Sequence, residues 1–154
     1  MKLRTVLPML AVATFALAAC ASKVSFEEFK KKADEAAEKA KEVSYSKVVV
    51  DGYVEDDGEK QSFDKVAVKC EKGVFAPTNV LHVDEIAVAA FLNVSTASGV
   101  AALGEDENTT YYAGGSFKVE TVEDGKKNTA TFNEYGFLTG ITGDSSKLTV
   151  SYTK

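Results

Sequence analysis

Three observations predict an α+β fold. Phe26 to Ala40 carries a helix-period apolar stripe near the N-terminal end. Apolar and polar residues alternate with period two from Ser46 to Cys70 and again from Phe117 to Tyr152. Between these halves lies an uncharged stretch rich in alanine and valine. Together they place an N-terminal helix and a central apolar helical insert on one face of a meandering antiparallel sheet. No Pro-rich or Gly/Ser-rich stretch divides residues 25–154 and no repeat of fixed period appears, so one α+β domain is expected there.

The first helix has a full start signal. Ser25 is an N-cap, Glu28 its capping-box partner, and Val24 and Phe29 occupy the hydrophobic-staple positions. Phe26, Phe29, Ala33, Ala36, Ala37 and Ala40 form the stripe, which narrows from phenylalanine to alanine so that the later turns can lie close to a sheet. Val48, Val50 and Val54 share a strand face, Glu55 to Glu59 make a turn, and Val66, Val68 and Cys70 return on the same side. Phe63 is out of phase with them, which predicts a bulge or twist near Asp64. In the second half the alternating positions are Phe117 and Val119, Ala130 and Phe132, Phe137 and Ile141, then Leu148, Val150 and Tyr152. Turns are expected at 123–126, 133–136 and 143–146.

The insert is the unusual segment. From Ile86 to Gly104 there is no charge, and 13 of the 18 residues from Ile86 to Leu103 are apolar. Asp84 is the expected cap and Gly99 the expected division into two helices. A helix apolar nearly all round must be buried or face something apolar. Three settings satisfy that rule: a central core helix, the wall of a cavity for a hydrophobic ligand, and a segment dipping into a membrane surface. Ile86, Phe91 and Leu92 are the residues that would line such a cavity. Asn93, Ser95, Thr96, Ser98 and Gly99 dilute the stretch too far for a transmembrane span.

Nothing else forms a catalytic set. His82 is the only histidine, which excludes multi-histidine metal sites, and its neighbours Val80, Leu81 and Val83 suggest a structural or loop position. Cys70 alternates in phase with core valines and lacks the context that activates a thiol, so it is expected to be buried and inert. The acidic runs 55–59 and 105–107 lack the ligand spacing of a calcium loop and read as a hairpin turn and a solvated helix end. Asn93-Val94-Ser95 and Asn108-Thr109-Thr110 match the glycosylation sequon but are read as chance matches. Most of the C-terminal aromatics, a set that includes Tyr111 and Tyr112, are assigned to cross-strand packing. No cofactor, metal or enzymatic activity is expected.

Residues 1–24 carry the most specific signal. Lys2 and Arg4 precede an apolar run, Thr5 to Ala16, which leads into Leu17-Ala18-Ala19-Cys20. This arrangement resembles the lipobox of bacterial lipoproteins. The resemblance implies a signal peptide over 1–19 that is removed and a Cys20 thioether to diacylglycerol with added palmitate. It also implies a short tether over 20–24, and residence on the cell membrane or outer membrane, outside the cytoplasm. From Ala21 to Val24 the chain reaches at most roughly 14 Å, which would hold the domain near the bilayer. Beyond residue 19 the chain has 16 basic and 23 acidic residues, a net charge of −7. That balance disfavours nucleic acid as a partner and leaves membrane attachment to the lipid. Every basic residue after Arg4 is lysine, so bidentate recognition of phosphate or carboxylate is not signalled, whether or not codon usage is the cause.

The element order loosely resembles the half-barrel lipoprotein carriers of the LolA and LppX/LprG type, in which a sheet curls around helices and acyl chains lie between them. The hairpin Thr131 to Thr139 is similar to hairpins in small uncharacterised lipoproteins of gut bacteria, which implies no activity. Two function classes follow. One is a non-enzymatic structural or interaction lipoprotein of the cell envelope, with an envelope protein as partner. The other is a carrier or binding module for a lipid or other hydrophobic ligand.

Overall fold

A computed structural model describes residues 21–154. Among them, β1 (Ser22–Val24) leads into α1 (Phe26–Ala40), followed by β2 (Tyr45–Asp56), β3 (Glu59–Glu71) and β4 (Val74–Pro77). Then come α2 (Val83–Val94), α3 (Ala97–Ala102), β5 (Thr109–Ala113), β6 (Phe117–Glu123), β7 (Lys126–Phe132), β8 (Leu138–Gly143) and β9 (Lys147–Thr153). The strands form one antiparallel sheet in the order β1-β5-β6-β7-β8-β9-β2-β3-β4. The expected α+β architecture, helices on a meandering antiparallel sheet, is the one observed.

Local chemistry sets the hairpins. Asp57-Gly58, Lys72-Gly73 and Asp124-Gly125 all have both residues at positive φ, the two-residue geometry whose twist matches paired strands. Val50 pairs with Val66 but Gly52 pairs with Phe63, so β3 carries one extra residue, and Lys65 there has φ +48°. This is the bulge expected near Asp64, and it returns Phe63 to the buried face. A second bulge, at Thr139, corrects the reading of β8. Phe132 pairs with Leu138 while Thr131 pairs with Gly140, so Leu138 takes the inward position assigned to Phe137. Phe137 is buried too, but from the turn before the strand, where Asn133 Oδ1 accepts from the Tyr135 and Phe137 amides.

Helix α1 lies across the concave face. At its start Phe26 and Phe29 pack on Tyr111 of β5, and Phe29 also meets Phe117 of β6 edge-on. At its end the Ala40 carbonyl lies against Gly73 in the β3–β4 turn. Fifteen helical residues span about 22 Å, whereas the strands from β5 to β3 would cover roughly 30 Å if flat. The sheet therefore curls around the helix. Ser25 Oγ accepts from the Glu28 amide at 3.2 Å, as expected of the cap. The Glu28 carboxylate faces Lys32 at 3.7 Å rather than closing a capping box.

The sheet begins earlier than the sequence indicated. Ser22–Val24, assigned above to a tether, pair with Ala113–Tyr111 and form the edge strand beside β5. At the other edge, β4 was not foreseen. Its outward backbone is closed by a side chain: Asn93 Oδ1 accepts from the Phe75 amide and Asn93 Nδ2 donates to the Phe75 carbonyl, both at 2.9 Å. Pro77, in register with Phe75 two residues on, offers no N–H at all. The edge is thus occupied without another strand.

One position tests the curl directly. Gly52 has φ +125°, and a Cβ there would lie 2.0 Å from the Lys147 carbonyl oxygen of β9. Gly52→Ala should destabilise the fold by about 2–3 kcal/mol through overpacking and backbone strain, measured as a shifted denaturant midpoint with an unchanged slope.

Candidate functional site

Helix α2 is apolar on two opposite faces, and only one of them is covered. Val88, Ala89 and Leu92 are buried against the sheet. Phe91 is half-buried and stacks on Phe63 of β3 with ring centres 6.1 Å apart. The opposite face carries Val83, Ile86, Ala87, Ala90 and Val94 at helical spacing, all exposed. Val83 is 74% exposed, Ile86 46% and Val94 69%, and the preceding loop adds Val80 and Leu81. The three residues proposed to line a cavity are therefore split. Leu92 is core, Phe91 flanks the cleft side of the helix, and Ile86 faces outward.

The helix begins and divides differently from the expectation. His82, not Asp84, is the N-cap, and its side chain makes no capping bond; Asp84 sits in the first turn. The division falls at Ser95–Thr96 rather than Gly99. Thr96 Oγ1 accepts from the Gly99 amide at 3.0 Å and starts α3. A Cβ on Gly99 would lie 2.3 Å from the Val94 carbonyl oxygen, so Gly99 permits the tight junction between the two helices.

A carboxylate ties the loop before α2 to the helix. Glu85 Oε1 accepts from the Thr78 amide at 2.7 Å, from the Asn79 amide at 3.1 Å and from the Thr78 hydroxyl. Its Oε2 lies 2.6 Å from His82 Nδ1. These bonds, the Thr78 hydroxyl foremost and His82 next, hold the Glu85 pKa down at about 2. The Leu81 amide donates to Asn79 Oδ1, which fixes the turn that presents Val80 and Leu81 to solvent.

Two of the open clefts that border the helices lie near the segment 83–103. One, of about 170 Å³, lies between α1, α3 and the β7–β8 turn, lined by Ala33, Ala37, Ala40, Thr96, Ser98 and Tyr135 among others. The other, of about 260 Å³, runs between β3 and α2, where Phe63, Asp64, Val66, Asp84 and Ala87 line it. Neither is lined by Ile86, Phe91 or Leu92.

Cys70 is buried at 1% exposure, and burial pushes its thiol pKa up, against a bond from the Gly73 backbone. His82 is engaged with Glu85 at the start of α2. Tyr152 donates to the Leu138 carbonyl at 2.5 Å, and burial drives its pKa well above the usual phenol range. On the convex face Tyr112 donates to Glu120 at 2.8 Å, and Lys118 lies over the Tyr112 ring. The bond to Glu120 raises the Tyr112 pKa and lowers that of Glu120. These contacts are cross-strand packing of the kind assigned to the aromatics. Among the described residues, no group of three or more His, Cys, Asp or Glu could hold a metal, and no helix is long and apolar enough to cross a membrane. Cys20 lies outside the described residues. Comparisons with protein-family models, with curated proteins and with solved structures found no match to this chain.

Two measurements separate the faces of α2. Leu92→Lys should cost on the order of 4 kcal/mol or more, because it buries a charge and removes core packing. Ile86→Lys should leave the melting temperature nearly unchanged. Glu85 should titrate by NMR near pH 2, with the loop order it supports present above the ordinary carboxylate range. Because its folded pKa lies below the unfolded one, that contribution fades as pH falls towards about 2. Glu85→Gln should remove the titration and increase proteolytic nicking between residues 77 and 83.

Proposed function

We propose that this chain is a non-enzymatic, membrane-anchored bacterial lipoprotein whose folded domain is an interaction module of the cell envelope. The anchor rests on the lipobox resemblance at Leu17 to Cys20. The interaction role rests on a single observation, the outer face of α2. A helix uncharged beyond its first turn, which has already buried one apolar face, keeps a second one, Val83, Ile86 and Val94, in water. Contiguous exposed apolar surface of this kind marks binding sites far more often than scattered single residues do.

The carrier reading has less support. Leu92 is packed against protein, Phe91 against Phe63, and the cleft beside them is small and open. A carrier would bind apolar fluorescent probes saturably, with Leu92→Asn reducing uptake at matched folded fraction.

Two experiments test the proposal. Cys20→Ser should abolish palmitate labelling and release the protein from membranes, since only a thiol can form the thioether; a variant still labelled and membrane-bound would refute the anchor. A photo-crosslinking residue at position 86 in cells should form adducts that the same residue at position 118, on the convex face, does not. Equal adduct formation at both positions, or none at 86, would refute the interaction role.

A further inference from the structure

We infer that the outer face of α2 and the adjoining β3–α2 cleft bind a basic amphipathic polypeptide segment, one that sets apolar side chains beside lysine or arginine. The inference rests on the interaction role proposed above and names its partner class. Ala87 belongs both to the exposed apolar stripe and to the cleft wall, so stripe and cleft are one continuous surface. Two carboxylates, Asp64 from β3 and Asp84 from the first turn of α2, line that cleft. Among the described residues, neither has a salt-bridge partner and neither side chain accepts a hydrogen bond, in contrast to Glu85, next to Asp84, whose carboxylate is saturated by Thr78, Asn79 and His82.

The first turn of α2 is acidic and its last turn has no basic residue, so the helix offers no cation of its own to this surface. An occupant that buried the stripe while leaving two carboxylates unpaired would lose the desolvation cost of both. One that brings ammonium or guanidinium groups to Asp64 and Asp84 recovers it. The same charges argue against two alternatives. A second copy meeting α2 face to face carries the same acidic turn and no basic residue on that helix. An anionic lipid surface would be repelled by the cleft. Strand order also sets the surface apart from Ser22, which pairs with Ala113 of β5 at the end of the sheet opposite β3, β4 and α2.

The test uses the full chain with Cys20→Ser and two synthetic helical peptides of equal length, one of leucine and lysine, one of leucine and glutamate. Anisotropy titration should show saturable binding of the leucine/lysine peptide alone. Ile86→Lys, and separately Asp64→Asn with Asp84→Asn, should weaken it about tenfold or more, with melting temperatures unchanged. Glu123→Gln with Asp124→Asn removes the same charge from the distant β6–β7 hairpin and should leave affinity unchanged. If Asp84→Asn loosens the helix start, Asp64→Asn alone should still weaken binding. Equal weakening by the hairpin variant would reduce the effect to whole-chain charge and overturn the inference. So would binding of the glutamate peptide, no binding of either, or a self-association that Ile86→Lys abolishes. Crosslinks at position 86 in cells without peptide binding would leave the interaction role standing and remove the basic partner.

Discussion

The geometry of this domain depends on how closely a helix can lie against a curled sheet. The alanine turns of α1 allow the Ala40 carbonyl to approach the Gly73 backbone, while Phe29 fills the wider space under β5 and β6. A wedge of large to small residues along one helix face therefore matches a sheet that closes towards β4. Bulkier residues at Ala33 or Ala36 would push the helix off the later strands and open the curl. The bulges at Lys65 and Thr139 and the crowded Gly52 supply the bending that this helix requires of the strands.

That closure decides what α2 can be. With α1 and α3 covering the concave face, α2 is left to pack along β3 and β4 at the margin, where one side of it finds core and the other finds water. Its sheet side is secured by Leu92, by the Phe91–Phe63 stack and by the Asn93 amide. Glu85 secures the loop that precedes it. These fixings make the exposed stripe a surface of defined shape rather than a frayed helix. Defined shape is what recognition requires, because the ordering cost is met during folding instead of at binding.

Much of the fold was legible because it is written in local patterns. The helix stripe, the cap at Ser25, the aspartate–glycine turns and the bulge near Asp64 all follow from periodicity and turn chemistry within a few residues. Edge strands β1 and β4 were not legible. They are three and four residues long, and their pairing partners β5 and β3 lend them a structure that their own sequence does not signal. The candidate site was half legible. The charge-free run announced that the insert must face apolar surroundings, but periodicity alone cannot distinguish a face covered by the protein from one left to solvent. Ile86 and Leu92 look alike in sequence; six residues apart on a helix, they fall on different sides.

The treatment of the β4 edge bears on why such a surface is tolerated. An exposed apolar helix beside an open sheet edge would combine two routes to aggregation. Here one residue, Asn93, closes the edge by imitating the backbone of a neighbouring strand, and Pro77 removes the next donor. The β1 edge is protected differently, by its brevity and by exposed Lys23 at its centre, which would face its own copy if two such strands paired about that residue. The β4 edge is occupied and the β1 edge is short and charged, while the apolar outer side of α2 stays exposed. On the interaction role proposed above, specificity would come from the spacing of Val83, Ile86 and Val94 and from the two carboxylates beside them, not from indiscriminate backbone pairing.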